Sequence, residues 1–153
     1  MSADNKAIAR RVREEIWDGK ALSVADQVID ANCVNHVSDP ITPDFGSGPE
    51  SYKKLVTLYR SAFPDAHITI DDMLAEGDKV MVCWTARATH KGQLLNLAPS
   101  NKRITVTGID VYRISGAKIQ ESWINWDALG FLQQLGAVPT LGQTKGSLPA
   151  NSF

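Results

Sequence analysis

Cysteine is scarce in this chain: 153 residues hold two, Cys33 and Cys83, fifty positions apart. So few exclude a disulfide-stapled small scaffold, and the spacing is not that of a zinc finger. Each sits in a strand-like context and reads as a free thiol acting as a small core residue. An excess of charge of one sign is also lacking. Lys and Arg total 16 against 17 Asp and Glu, for a net charge of −1 and a pI near 6.3. That balance supplies no basic patch for nucleic acid or an anionic membrane. No apolar run approaches the roughly 20 residues of a bilayer-spanning helix. The polar start, residues 1–6, does not read as a signal peptide, which makes a cytoplasmic location the expectation. The histidines, His36, His67 and His90, show neither H-x-H nor H-x-x-x-H spacing. With no G-x-G-x-x-G and no G-K-S/T either, the expectation is no metal and no cofactor.

What is present suits one globular domain: 43% hydrophobic and 22% charged residues,. Helices dominate the first half. Over residues 4–18, Ile8, Val12 and Ile16 recur every four positions beside Trp17, and Gly19 stops the run. Ser23 and Asp26 resemble a capping box opening a short helix through Val28 and Ile29. Residues 31–37 read as a strand carrying His36, and 38–48 as a turn-rich loop. Pro49 suits the first turn of a helix whose Tyr52, Leu55, Val56, Tyr59 and Phe63 share a face and which Pro64 ends.

The second half alternates like an antiparallel meander. Residues 67–74, 80–90, 104–114 and 118–126 are the strands, with Glu76-Gly77-Asp78-Lys79 and Ser115-Gly116 as turns. A last helix follows over 128–135. Helices first and long strands after define an α+β fold, with helices packed into the concave side of a curved sheet. One domain over 1–139 is expected, with a loosely attached tail over 140–153.

The chemistry concentrates where the last strand meets the last helix. Side chains two apart share a strand face, so Trp123, Asn125 and Asp127 should point the same way. Asp127 is placed either as a general base in a pocket or as the N-cap of the last helix, accepting a backbone N–H. Asp110 lies mid-strand between Ile109 and Val111, on the face of Ile104, Val106 and Ile114. Such a carboxylate needs a partner or a pocket. His36 reads as a pocket or rim residue, and His67 as structural. His90, at a strand end before Lys91-Gly92, reads as exposed and within reach of a ligand. Trp84, Trp123 and Phe63 are candidate walls for a flat apolar substrate, with core or interface packing as their other reading.

The order T-H-K-G at 89–92, G-I-D-V-Y-R at 108–113 and W-x-x-x-D-x-L-G-x-x-x-Q-L-G at 123–136 resembles the SnoaL-like polyketide cyclases of the NTF2-like superfamily, from about residue 5 to 139. The resemblance implies a cone-shaped α+β barrel, self-associated through its outer sheet face as a homodimer or homotetramer. It also implies a cofactor-free enzyme that closes a polyketide ring by intramolecular aldol condensation, or isomerises it, on an apolar polycyclic substrate. Asp127 matches the family's acid/base carboxylate and His36 its first-strand histidine, with Asp110 as a helper. Two departures stand out: Ser122 occupies a position where many relatives carry histidine, and residues 95–103 lack the usual glycine-proline-threonine-glycine run. A non-catalytic binding module, or a hydrolase activating water at Asp127, are the alternatives, since a fold does not choose its chemistry.

Overall fold

The computed structural model describes residues 2–142. The tail expected over 140–153 therefore lies largely outside the described residues. Helix α1 (Ser2–Arg11) runs on as a π-helical turn (Val12–Asp18), followed by α2 (Val24–Val28), β1 (Ile29–Val37) and α3 (Gly48–Ala62). Strands β2 (His67–Glu76), β3 (Lys79–Thr89), β4 (Arg103–Ser115) and β5 (Lys118–Trp126) precede the closing helix α4 (Ala128–Gln134). The architecture is the α+β one read from the sequence, a five-stranded curved sheet with the N-terminal helices on one face.

The sheet order is β1-β5-β4-β3-β2. Strands β2 to β5 form the expected meander, while β1 joins β5 in parallel. That crossover follows from the intervening chain, since parallel neighbours need a long connection, which α3 and the meander provide. Burial alternates along β4: Ile104, Val106, Asp110, Tyr112 and Ile114 are buried, and Thr105, Thr107 and Ile109 are exposed. One face of the sheet thus meets the helices, and the other is open.

Two core clusters lie end to end under the helices. One joins Val12, Ile16, Tyr52, Val56, Val80, Val82 and Tyr112. The other joins Phe63, Ala88, Leu94, Ile104, Phe131 and Leu135.

The first helix departs from the uniform α-helix that its four-residue period predicts. From Val12 the winding widens, and the Gly19 N–H closes on the Glu14 carbonyl, five residues back, at 2.9 Å. Such wide turns are rare and frequently mark functional sites, and this one carries Arg13 and Trp17. The capping box at Ser23 does not form: Ser23 is already helical (φ −61°, ψ −20°) and its side chain caps nothing. Pro49 does sit in the first turn of α3.

Candidate functional site

Between the two core clusters lies a cavity of about 100 Å³ whose walls are almost wholly apolar. Phe63 of α3, Trp84, Ala86 and Ala88 of β3, and Ile104 and Val106 of β4 form much of it. Ile124 and Trp126 of β5 and Phe131 of α4 complete the wall. The exceptions are Arg13, Thr42, Tyr59 and Arg60.

Arg13 is the unusual member. It is 3% exposed and paired with Asp110, which is fully buried. A buried charge pair survives only if its remaining hydrogen-bonding capacity is met. Asp110 meets its own: besides Arg13, it accepts the Trp84 Nε1–H at 3.0 Å and the Tyr112 hydroxyl at 2.7 Å. Burial pushes the Tyr112 hydroxyl pKa upward, so Tyr112 stays a donor. Arg13 stacks on Trp84, 4.6 Å from the ring centroid, and near Trp17 at 5.7 Å. Its Nε, however, is buried without a hydrogen-bond partner among the described residues. The cavity wall therefore holds a fixed cation whose charge is balanced from behind and which has a spare donor.

Local sequence explains the assembly. Gly108 sits across from Trp84 in the β3–β4 register, and a Cβ there would come within 2.2 Å of the indole. Only glycine lets the Trp84 ring lie across β4 and reach Asp110. On the far side, Tyr59 and Thr42 share a hydrogen bond of 2.6 Å, and burial raises the Tyr59 hydroxyl pKa. Asp39 accepts the Thr42 and Ile41 N–H groups on one oxygen and the Trp126 Nε1–H, at 2.9 Å, on the other.

The structure separates the residues singled out from the sequence. Asp110, Trp84 and Phe63 gather at the cavity or directly behind its wall. Asp127 caps α4, its Oδ1 accepting the Gly130 N–H at 2.8 Å, and is exposed at the corner next to Trp126. Trp123 and Asn125 lie on the sheet's outer face, since it is Ile124 and Trp126 that enter the cavity wall. Asp127 thus follows them only in sequence parity. His36 is outside too, stacked on Trp123 at 5.3 Å and bonded to Glu121 Oε2 at 2.7 Å. That contact, joined by Arg113, holds the Glu121 carboxyl below its usual pKa.

His36, Trp123 and Asn125 do meet again, in a second space. A cleft of about 500 Å³ lies beneath the loop over 38–46, where β1 ends at Val37. Asn35, Ser51 and Phe45 also line it.

His90 contradicts the reading of an exposed residue. It is 1% exposed, stacked on Phe63 at 5.2 Å, because the loop after β3 folds back and packs on the end of α3. Its Nδ1 accepts the Ser100 N–H at 3.3 Å, which leaves Nε2 buried without a partner among the described residues. It stands behind the cavity wall, through Phe63, rather than in it. The cavity, at about 100 Å³, is smaller than the roughly 300 Å³ at which drug-sized sites begin,.

Sequence reasoning missed Arg13, Tyr59, Thr42 and Asp39 as site residues. The R-x-x-x-W spacing of Arg13 and Trp17 was the one local signal available for a cation–aromatic pair,.

A curved sheet closed by N-terminal helices around an apolar cavity defines the NTF2-like class of cone folds. Within it, this chain belongs to the SnoaL-like polyketide cyclase family, which it matches over residues 7–135. A candidate polyketide cyclase from Acidithiobacillus ferrooxidans is similar at 30% identity and a TM-score of 0.77, covering 89% of this chain and 96% of its own. A candidate polyketide cyclase from Bacillus cereus is similar at 27% identity and a TM-score of 0.73, covering 87% and 80%. A SnoaL-like candidate from Jannaschia sp. CCS1, at 18% identity, shares the fold with a TM-score of 0.77, covering 90% and 95%. Among curated proteins no match is found. No helix of the described residues is long and apolar enough to cross a membrane.

Proposed function

We propose that this protein is a cyclase-type enzyme that takes a compact, largely apolar carbonyl compound into the cavity and activates it at the carbonyl for attack through its α-carbon. The observation that carries this reading is the Arg13 Nε, a buried cationic donor without a partner in an otherwise apolar wall. A carbonyl oxygen brought against Arg13 would satisfy that donor, and an enolate oxygen would satisfy it better, because the cation is held in place by Asp110 and shielded from water,. Asp110 keeps Arg13 in place. With Arg13, Trp84 and Tyr112 all donating to it, Asp110 is a positioning residue rather than a base.

In this reading the α-proton goes to Asp127, the family-matched carboxylate. The assignment comes from the family match: Asp127 lies beside Trp126, outside the cavity lining, with Oδ1 on the Gly130 N–H, whereas both oxygens of Asp39 and of Asp110 already accept. A binding module that only holds the carbonyl compound is the second reading, favoured by the helix-capping role of Asp127.

Solvent-deuterium exchange at the α-carbon of slow-exchanging ketones, such as cyclohexanone and acetophenone, tests both. The expected result is enzyme-dependent exchange that Arg13→Lys reduces by at least about tenfold. Lysine keeps the charge beside Asp110 but has no Nε–H fork. Binding without exchange supports the module instead, and absence of binding overturns the carbonyl reading.

A further inference from the structure

We infer that the cavity and the cleft under the loop over 38–46 are two halves of one site for an amphipathic ligand. This rests on the reading that a carbonyl-bearing head occupies the cavity. Val37, Thr42 and Leu55 line both spaces, so a single layer of side chains separates them. The cavity alone, about 100 Å³, is lined by apolar groups, while the cleft, about 500 Å³, is lined by polar and apolar groups in similar measure.

Two hydrogen bonds add to the packing of Ile41 and Phe45 in holding the separation. Thr42 bonds Tyr59 at 2.6 Å, and Asp39 bonds Trp126 at 2.9 Å, so the loop is latched to α3 and to β5. Beneath it the sheet itself leaves a gap. The ladder between β1 and β5 ends at Val37 and Ile124, and β5 continues past it through Asn125 and Trp126. Trp126 faces the cavity and Asn125 the cleft.

The cleft's polar groups define the second half of the ligand. Asn35 is already engaged, accepting from Ser122 Oγ at 2.6 Å and donating to Ser51 Oγ at 3.1 Å, which makes it a fixed wall. Asn125 is exposed, and its carboxamide has no side-chain partner among the described residues, so its NH2 and its carbonyl oxygen are both on offer,. His36, tied to Glu121, stands beside it. These groups suit a neutral hydroxylated or amide-bearing arm, while the head passes Thr42 toward Arg13. The arrangement also accounts for the mismatch between a small cavity and a family of cyclases for larger molecules: only part of the ligand needs the interior.

Calorimetric titration with two probes tests the inference: acetophenone, a head alone, and 4-acetyl-N-(2-hydroxyethyl)benzamide, the same head with a polar arm. The arm is expected to tighten binding about tenfold, the return on one or two added hydrogen bonds. That ratio should fall to about one in Asn125→Leu, an exposed position whose change spares the core. Thr42→Trp, which plugs the shared wall, should slow acetophenone association at least about tenfold. Acetophenone that binds with no advantage from the arm, or that enters Thr42→Trp unhindered, overturns the bipartite site alone. If acetophenone does not bind at all, the carbonyl reading fails and the bipartite site with it.

Discussion

Two aspartates with similar prospects in the sequence have opposite fates in the fold. Asp110 is completely buried and serves Arg13, Trp84 and Tyr112, whereas Asp127 is exposed and serves one backbone N–H. Substitution separates them. Asp110→Asn leaves the Arg13 charge uncompensated in the interior and should cost about 3–5 kcal/mol in urea unfolding. Asp127→Asn keeps an equally good N-cap and should change stability by no more than about 0.5 kcal/mol. The same Asp127→Asn protein should lose α-exchange on the order of a hundredfold if its carboxylate takes the proton. A near-wild-type rate would reduce Asp127 to a cap. The cap was legible from the sequence, because Asp before A-L-G is a local pattern. Arg13 was not, because its partner lies 97 positions away in another element.

At the level of elements, the π turn and the glycine in β4 cooperate. The wide turn aims Arg13 and Trp17 at the cavity, and Gly108 opens β4 to the Trp84 ring. Gly108→Ala should therefore push the indole off Asp110. The expected outcome is a loss of about 1–3 kcal/mol with a shifted tryptophan emission, since overpacking displaces whatever it meets. Unchanged emission and stability would mean that the ring has room to spare. Strand positions were readable to within two residues from alternation and turn chemistry. The π turn was not, because the apolar period of Ile8, Val12 and Ile16 fits an α-helix just as well. The burial of His90 was hidden for a related reason: a strand end next to Lys91-Gly92 looks exposed until its loop folds back onto α3.

For the whole molecule, burial sets the response to alkali. The Cys33 thiol is pushed up to about 11, chiefly by burial, and burial likewise raises the Tyr52, Tyr59 and Tyr112 hydroxyls. In each case the folded state holds its proton to higher pH than the unfolded chain. Stability should then be level below about pH 9, where a free thiol is still protonated, and fall as pH rises through about 11. Chemical unfolding at stepped pH would measure it, and a flat profile over that range would contradict the assignment. The outer sheet face, with Val34, Leu74 and Ile109 exposed, is expected to self-associate as the family resemblance implies,. Sedimentation should show a dimer or larger species that Ile109→Lys shifts toward monomer. By itself the sequence determined the α+β order of elements, the alternating faces of the meander and the family, because periodicity, turns and motif spacing are local properties. Only the tertiary structure decided that Arg13 rather than Asp127 enters the cavity, and that the cavity is small and adjoins a polar cleft. It also decided that β1 pairs in parallel with β5, since each of these depends on side chains brought together from opposite ends of the chain.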